Sequence, residues 1–437
     1  MKSLTSGWMT IDAPQTDEFQ SCIKCGLCLP SCPTFQETGM ERESPRGRVQ
    51  LITSVARGLI PVDNGPLAET LFTCLDCRAC ESACPSGVPV GRLIEKGRAE
   101  LVQQHLVTIP SWTRWMQRVL ARPSYLKVAR RVFKVSQQLG LWKHRQKWPG
   151  LPESVSTLAA TVRPLPPKWL EVKQINRVPV VTDGKTLRAQ LFLGCIMDAA
   201  FSDAHMATVR VLARHGCSVT IPQGQVCCGA LAVHAGHREE ARRLARINID
   251  RFRLKETDYV VTNAGGCGAA LLEYQYWLQH DPHYAESAKQ FSTRVRDAMQ
   301  ILDLVGFRRP TGRFPHTITY QGSCHLHHVM KVGNIPERLL QSLPDSEYRP
   351  MPDATRCCGS AGIYNLTHPA MAESLLLQKM RDIPKGTEVV ATANPGCWLQ
   401  MEQGAKRFGP RITVMHVMQV LDQAYAHALE EDNALFS

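Results

Sequence analysis

The feature that most constrains the fold of this chain is a run of four cysteines that occurs twice with the same spacing. Both runs read C-x2-C-x2-C-x3-C-P and consist of Cys22, Cys25, Cys28, Cys32 and Pro33, and of Cys74, Cys77, Cys80, Cys84 and Pro85. In this pattern three close thiolates surround one 4Fe-4S cubane, and the fourth cysteine ligates the cubane of the other run. The spacing therefore predicts one cluster on Cys22, Cys25, Cys28 and Cys84, and a second on Cys74, Cys77, Cys80 and Cys32.

Structural zinc is the main alternative for these runs. Zinc sites use separated pairs of ligands with longer spacers, rather than a run of three cysteines followed by Cys-Pro. We therefore favour iron-sulfur. We expect residues 1–100 to form an α+β, ferredoxin-type domain that holds two 4Fe-4S clusters and carries a largely α-helical insert.

The expected compartment supports metal ligation by the cysteines. The chain has 17 cysteines in 437 residues, its first 20 residues lack the apolar core of a secretory signal, and apolar stretches such as residues 189–197 are too short to span a bilayer. We expect a cytoplasmic protein, in which thiols stay reduced. The cysteines are then metal ligands or buried thiols rather than disulfides.

The second half of the sequence repeats itself. Four cysteines recur at offsets of 129, 130, 130 and 130 residues: Cys195, Cys227, Cys228 and Cys267, then Cys324, Cys357, Cys358 and Cys397. The Cys-Cys-Gly triplet, the apolar runs before the first and last cysteines, and the closing segments DAMQILD (297–303) and HVMQVLD (416–422) recur in the same register. A repeat of this kind indicates a tandem duplication of one domain.

Each copy alternates short apolar runs with helical stretches such as residues 203–215 and 238–252, which predicts an α/β domain with a parallel sheet. The cysteines follow predicted strands, some in Gly-rich turns such as residues 265–268, so the four of each copy converge at one edge of the sheet. Four thiolates favour a soft metal centre, either iron-sulfur or zinc, and we favour iron-sulfur. The remaining cysteine, Cys217, lies in a strand-like run and is interpreted as a buried core thiol.

A basic segment separates the two halves. Residues 101–151 contain ten Lys or Arg and no Asp or Glu, with apolar residues at helical spacing, and a Pro-rich passage follows. Nucleic-acid binding is not favoured, because no zinc-finger, recognition-helix or stacking signature accompanies the charge. Basic residues mixed with indoles are typical of a helix at a membrane interface, so residues 101–151 are a candidate for peripheral contact with the inner face of the cytoplasmic membrane; the indoles are Trp112, Trp115, Trp142 and Trp148.

These features divide the chain into four parts: a ferredoxin-type domain (1–100), a basic helical segment with a linker (101–185), a first cysteine-rich domain (186–310) and a second (311–437). Two smaller motifs lie within them. The sequence SPRGR at 44–48 predicts a helix start, with Ser44 as the cap and Pro45 in the first turn, and its arginines lie near the cluster ligands in sequence. The cluster His325, His327 and His328 is interpreted as part of a polar loop, with cluster ligation or proton transfer as alternatives.

Two one-electron clusters form a relay, whereas oxidation of an alcohol releases two electrons, so a flavin or similar centre is expected upstream. The sequence contains no G-x-G-x-x-G after a strand and no P-loop. We therefore expect the flavin on a separate polypeptide and assign no catalytic residue to this chain.

The whole chain resembles the iron-sulfur subunits of glycolate oxidase. The resemblance rests on the first cysteine run, SPRGR, CPSGV at 84–88, CCGA at 227–230, CCGSAGIYNLTHP at 357–369 and ATANPGC at 391–397. It implies an electron-transfer subunit of an oxidoreductase complex, with FAD-binding partner subunits that oxidise glycolate and with a quinone or another membrane-linked acceptor.

Related systems share this architecture. The chain is also similar to an iron-sulfur subunit of anaerobic glycerol-3-phosphate dehydrogenase, so the alternative function is that of the iron-sulfur subunit of a glycerol-3-phosphate or lactate dehydrogenase. The repeats resemble the cysteine-rich domains of heterodisulfide reductase, in which the last cysteine belongs to a CxxC pair. Here Ala270 and Gln400 stand where the second cysteine of each pair would be, which argues against the same non-cubane geometry and against direct disulfide chemistry.

Overall fold

The computed structural model describes residues 7–63, 65–139, 178–181 and 186–435. The described part of the N-terminal domain consists of helices joined by loops, with a single 3-10 turn at Glu41–Glu43: the α-helices are Thr16–Phe19, Pro33–Thr38, Pro45–Ala56, Pro66–Phe72, Ala79–Ser82 and Val90–Gln103. Their apolar faces meet in a core around Trp8, Ile52, Leu71 and Leu93. The predicted α-helical insert is confirmed, since helices occupy most of the chain between the two cysteine runs, and the runs themselves lie mainly in loops.

The basic segment forms two helices, Ser111–Ala121 and Pro123–Gln138, which meet at Arg122 because proline disfavours helical geometry in the preceding residue. The second helix lies against the first cysteine-rich domain: Leu126 is buried, and the Nε of Arg130 donates to the carbonyl of Ala199 over 3.1 Å. Trp142, Trp148 and most of the Pro-rich passage lie outside the described residues.

The first cysteine-rich domain has four parallel strands, β1 (Leu187–Leu191), β2 (Cys217–Thr220), β3 (Tyr259–Thr262) and β4 (Val295–Asp297), in the order β2-β1-β3-β4. Its helices are Ile196–Ala200, Ser202–Arg214, Ala230–His234, Arg238–Arg251, Gly265–Trp277, Ala285–Arg294 and Ala298–Val305. The helices predicted at 203–215 and 238–252 are confirmed to within a residue at each end.

The second cysteine-rich domain repeats this topology with β5 (Thr317–Tyr320), β6 (Glu347–Tyr348), β7 (Val389–Thr392) and β8 (Thr413–His416), in the order β6-β5-β7-β8. Its helices are Cys324–His328, Ile335–Gln341, Tyr364–Thr367, Pro369–Arg381, Pro395–Phe408 and Val417–Leu435. The predicted tandem α/β architecture with parallel sheets is therefore confirmed.

The three domains pack into one body. One apolar core includes residues of both sheets, and the Gly265 amide donates to the carbonyl of Ala393 over 3.1 Å. On the N-terminal side, the Arg92 guanidinium pairs with Glu273 at 3.0 Å. In the part of the chain that the structure describes, no helix combines the length and apolar character needed to cross a membrane.

Candidate metal centres

The two cysteine runs of the N-terminal domain follow the same backbone path. The residue before the second cysteine has a positive φ in each run, 59° at Lys24 and 52° at Asp76. The residue after that cysteine does as well, 86° at Gly26 and 62° at Arg78. Left-handed residues at matching places turn each loop in the same way, so the sequence repeat is also a structural repeat.

Cys84 joins the thiols of the first run. Burial raises the pKa of Cys28, and the neighbouring Cys22 and Cys84 thiolates raise it further. Cys25, in contrast, is exposed, and the side chains of Ile23 and Leu27 beside it are 71% and 60% exposed. The first run thus lies at the surface of the protein, within an apolar patch.

Cys32 joins the thiols of the second run. Burial raises the pKa of Cys80 well above its ordinary value, with further increases from Cys77, Cys74 and Cys32. Cys32 and Cys77 are buried. The exchange of the fourth cysteine between runs is the arrangement that crossed ligation requires. The assignment of the eight cysteines as cluster ligands stays a prediction.

The SPRGR motif forms the predicted helix start and contacts the first run at two places. The Ser44 hydroxyl accepts a hydrogen bond from the Gly47 amide at 2.9 Å, and Pro45 is the first helical residue. Arg46 donates to the carbonyl of Lys24 in the first run at 3.3 Å. Arg48, which is 1% exposed, donates to the Cys32 sulfur at 3.8 Å, to Thr34 and to the carbonyl of Thr70.

The second run touches the second cysteine-rich domain. Burial raises the pKa of Cys77 well above its ordinary value, and the largest further contribution comes from the Cys324 thiolate. Cys77 and Cys357 pack in one apolar cluster with Leu75 and Tyr364, and Cys324 lies against it. The N-terminal domain therefore places Cys77 of the second run directly beside a second group of thiols.

The histidines beside Cys324 belong to this contact, so their interpretation as a polar loop was wrong. They lie on the helix Cys324–His328. The Nε2 of His325 is 2.9 Å from the carbonyl oxygen of Asp76, and the Nδ1 of His328 is 2.9 Å from the Ser82 hydroxyl. Two of the three histidines thus join the domains.

Four thiols converge in the first cysteine-rich domain. The Cys195 thiol donates to the Cys227 sulfur at 3.6 Å, and Cys228 is hydrogen-bonded to both Cys227 and Cys267. The hydrogen bonds from Cys195 and Cys228 lower the pKa of Cys227 well below its ordinary value. The Gly-rich stretch around Cys267 is the first turn of the helix Gly265–Trp277, rather than the turn that the sequence predicted.

The second cysteine-rich domain brings its four thiols together in the same way. Cys324 begins the helix Cys324–His328, Cys397 lies in the first turn of Pro395–Phe408, and the Cys358 sulfur is hydrogen-bonded to both Cys357 and Cys397. Here the pKa of Cys358, rather than that of the first cysteine of the pair, is lowered well below its ordinary value, because Cys358 accepts these bonds.

The glycine of each Cys-Cys-Gly triplet has a steric reason. Gly229 and Gly359 have φ angles of 91° and 84°, which favour glycine. A Cβ at Gly359 would also lie 2.6 Å from the carbonyl oxygen of Ala372, and one at Gly229 would lie 3.3 Å from the Cα of Ala241. Because the glycine has no Cβ, the neighbouring helix can pack closely against the backbone of the triplet, and this packing positions the two cysteines.

The donor sets fit soft metal centres. In each domain four sulfurs form a chain of contacts in an interior where thiolates lack water, and thiolates are the ligands of iron-sulfur clusters and zinc. Cys217 is separate from both groups: it is fully buried in β2, and burial raises its pKa to about 11. Its interpretation as a core thiol is confirmed.

Lys379 was missed by the sequence analysis. Its ammonium is fully buried, donates to the carbonyls of Asp353 and Ala354 at 2.7 and 2.8 Å, and lies near the Cys358 thiolate, which opposes the desolvation that lowers the pKa of Lys379 to about 8. A lysine within the apolar stretch LLLQKM, 375–380, was the available signal.

A buried ionic network at the domain junction was also missed, and the sequence holds no signal for it. Arg78 pairs with Asp76 at 2.8 Å and with Glu95 at 2.9 Å, and the Nδ1 of His234 lies 2.9 Å from the Asp76 carboxylate. Burial raises the pKa of Glu95 to about 7, although Arg78 opposes that increase. The network joins the second run to the first cysteine-rich domain.

Comparisons with known proteins agree with this architecture. Residues 18–88 match the 4Fe-4S dicluster domain family, and residues 189–272 and 318–402 both match the Cysteine-rich domain family. The probable glycolate oxidase iron-sulfur subunit of Bacillus subtilis (strain 168) is 37% identical over 94% of this chain and 95% of its own length. The lactate utilization protein A of Shouchella clausii is 31% identical over 54% of this chain and 99% of its own length.

The glycolate oxidase iron-sulfur subunit of Escherichia coli (strain K12) is 32% identical over 93% of this chain and 94% of its own length. This similarity covers nearly the whole chain. The matched domain families include both the first cysteine run and Cys397, the last cysteine of the sequence. The chain belongs to the family of glycolate oxidase iron-sulfur subunits.

Proposed function

We infer that this chain carries electrons from an FAD-binding partner, which oxidises a 2-hydroxy acid, to a quinone in the membrane. The eight cysteines of the two runs hold two 4Fe-4S clusters in the crossed arrangement, and the thiols of each cysteine-rich domain hold a further metal centre. When bound, such clusters supply one-electron transfer. The inference rests on the family to which the chain belongs and on the thiols that its fold brings together.

One observation carries the proposal: the thiol groups succeed one another from the surface inward. The first run is exposed at Cys25, whereas Cys77, at the matching place in the second run, is buried and adjoins Cys324. A donor protein that docks on the apolar patch at Ile23 and Leu27 is next to the first run. This succession supports a relay with its entry at the first run.

The helix Pro123–Gln138 supports a membrane-linked acceptor. Its buried side faces the protein, while Tyr125, Val128, Val132 and Val135, with Leu139 just beyond the helix, are 49% to 69% exposed. These five residues, here called the exposed stripe, recur at intervals of three and four and so lie on one face. An apolar face on a basic helix is typical of contact with a lipid surface.

Glycolate is the proposed substrate of the complex, because the relatives that match nearly the whole chain are iron-sulfur subunits of glycolate oxidase. Lactate is the second candidate, since the lactate utilization proteins match about half of the chain along nearly their whole length. The partner's flavin site, rather than this chain, decides between the two acids.

The test uses the complex purified anaerobically with its flavin partners. We expect about eight iron and eight sulfide per chain from the two runs alone, and more from the cysteine-rich domains. Glycolate should bleach the flavin in both the unaltered complex and a Cys28→Ser complex, whereas only the unaltered complex should pass electrons to an acceptor. A folded anaerobic preparation without sulfide, or a Cys28→Ser complex that assembles but fails to reduce its flavin, would contradict the proposal.

A further inference from the structure

A cavity of about 270 Å³ lies where the N-terminal domain, both cysteine-rich domains and the first basic helix meet. The helix Ser111–Ala121 contributes Thr113, and most of the remaining wall is apolar: Phe72, Leu75, Ile109, Leu231, Ile363 and Tyr364. A larger cavity nearby, of about 470 Å³, is lined instead by charged side chains that include Arg114, Arg118, Glu239 and Arg243. The apolar cavity therefore suits a flat, uncharged ligand, which the charged one would not hold.

The cavity adjoins the second run. Cys74 and Leu75 form part of its wall, and the carbonyl of Cys74 accepts a hydrogen bond from Arg98. A ligand in the cavity is consequently in contact with a residue of the proposed second cluster. This step rests on the proposed function, because it requires the second run to carry electrons.

Polar groups are few and lie at defined places in the wall. The His368 ring stacks on the Tyr364 ring with centroids 4.4 Å apart, and burial lowers the pKa of His368, which keeps the imidazole neutral at pH 7. The Arg98 guanidinium is 3% exposed and is held by the carbonyls of Leu71 and His234 at 3.0 Å. Apolar walls with a small number of fixed polar groups are the usual composition of a site for a small, largely apolar cofactor.

The mouth of the cavity lies at the start of the basic helices. Thr108, Pro110 and Thr367 line the cavity and are exposed, and the helix Ser111–Ala121 begins directly after Pro110. Trp115 on this helix is 66% exposed, and the next helix carries the exposed stripe. If these helices lie on a lipid surface, the mouth of the cavity is next to that surface, and a ligand can pass from the lipid into the cavity.

We propose that this cavity binds the ring of a membrane quinone and is where the quinone is reduced. Reduction converts both carbonyls of the ring to hydroxyls and so takes two electrons and two protons. The electrons are those that the partner flavin removes from the hydroxy acid, and they arrive singly through the second run. The protons come from water at the open mouth, while the neutral His368 imidazole offers a hydrogen-bonding partner to one carbonyl.

The test is equilibrium binding of a short-chain quinone to the anaerobic, metal-loaded complex, together with photolabelling by an azido derivative of the same quinone. Thr367→Trp places an indole in the mouth, and Ala370→Trp places one at an exposed position three residues away that is not part of the cavity wall. We expect Thr367→Trp to weaken quinone binding by about tenfold or more, equivalent to about 1.4 kcal/mol, and Ala370→Trp to change it by less than about twofold. The label should fall on residues 107–113 and 361–368.

Leu231→Trp, which fills the cavity from the first cysteine-rich domain, provides a second variant if Thr367→Trp loses iron. Both variants should still reduce ferricyanide with hydroxy acid, because the relay to the second run is intact. Equal quinone binding by the blocked and control variants, or labelling outside the two segments, would overturn the assignment of the cavity. Failure of the unaltered complex to reduce either quinone or ferricyanide counts instead against the proposed function.

Discussion

The first and second cysteine runs share their spacing and their left-handed backbone positions, yet they lie in different surroundings. Cys25 is exposed beside Ile23 and Leu27, whereas its counterpart Cys77 is buried against Cys324 of another domain. The cysteine motif thus does not determine with which partner or domain a bound cluster would exchange electrons. That information comes from the surfaces around the motif, one of which is open to a partner and the other closed by the chain itself.

Replacing matched cysteines of the two runs should give the largest effect. Cys25→Ser and Cys77→Ser each remove one predicted ligand, and both should lower electron transfer to an acceptor by about 100-fold or more, the upper end of the losses seen when groups that support a metal site are removed. Only Cys77→Ser should also lower the thermal midpoint of the whole chain, because Cys77 packs in the cluster between domains. Reduction of ferricyanide by the complex with hydroxy acid measures the electron transfer, and calorimetry measures the thermal midpoint, both under anaerobic conditions.

Cys217→Ser is the control for these variants, since this thiol lies in β2 away from both runs, and it should leave the iron content unchanged. If Cys25→Ser lowered the thermal midpoint as much as Cys77→Ser does, the distinction between an open and an enclosed run would be wrong.

Replacing the two arginines of SPRGR should also show a difference between a buried and an exposed position, with a smaller effect than the cysteine variants. Arg48→Met leaves the buried carbonyl of Thr70 without its donor and removes a donor to the Cys32 sulfur, so we expect a loss of about 3 kcal/mol in the free energy of unfolding of the N-terminal domain. Arg46→Met, at the exposed end of the same turn, should leave that free energy unchanged. Urea unfolding, followed by the absorbance of the clusters, measures the free energy of unfolding of both variants. Equal losses in Arg48→Met and Arg46→Met would contradict the distinction between the buried and the exposed arginine.

Substitutions at the two exposed apolar surfaces should give the smallest and most selective effects. Ile23→Asp lies beside the first run, and Val132→Asp lies in the exposed stripe. We expect Ile23→Asp to weaken binding of the flavin partner by about tenfold without affecting binding to anionic liposomes, and Val132→Asp to do the reverse. Surface plasmon resonance and liposome sedimentation measure the two affinities, with Leu304→Asp, exposed on the first cysteine-rich domain, as the control for both. Loss of both affinities in either variant would mean that the surfaces are not separate.

The sequence was sufficient for features that depend on local spacing. The cysteine runs, the period of the repeat, the Ser44 cap and the parallel sheets each depend on residues close together or on a regular pattern. The contact of Cys77 with Cys324 depends on how domains dock, and that docking is set by long-range packing that no short motif encodes. For the same reason the histidines next to Cys324 were placed in a polar loop, although His325 and His328 face the N-terminal domain.

The sequence also did not predict which side chains are exposed to solvent. The apolar residues from Tyr125 to Leu139 predicted a helix, and the helix is present, but periodicity alone cannot tell a face that packs on the protein from a face that lies open. The buried Lys379 illustrates the reverse case, in which a charged residue in a helix is enclosed beside thiolates. Both cases require the positions of neighbouring elements.

The turn that contains Arg46 and Arg48 places one arginine near each of the two predicted clusters. A Cβ at Gly47 would lie 1.9 Å from the carbonyl oxygen of Glu41, so only glycine allows this turn to pack directly against the preceding 3-10 turn. Arg46 holds its charge near Cys25 and Cys28 of the first run, and Arg48 holds its charge at Cys32, the predicted fourth ligand of the second cluster. Nearby positive charge and hydrogen bonds to sulfur favour the reduced form of a cluster. If the two runs hold their predicted clusters, we therefore expect substitutions at these two positions of one helical turn to shift the two midpoint potentials separately.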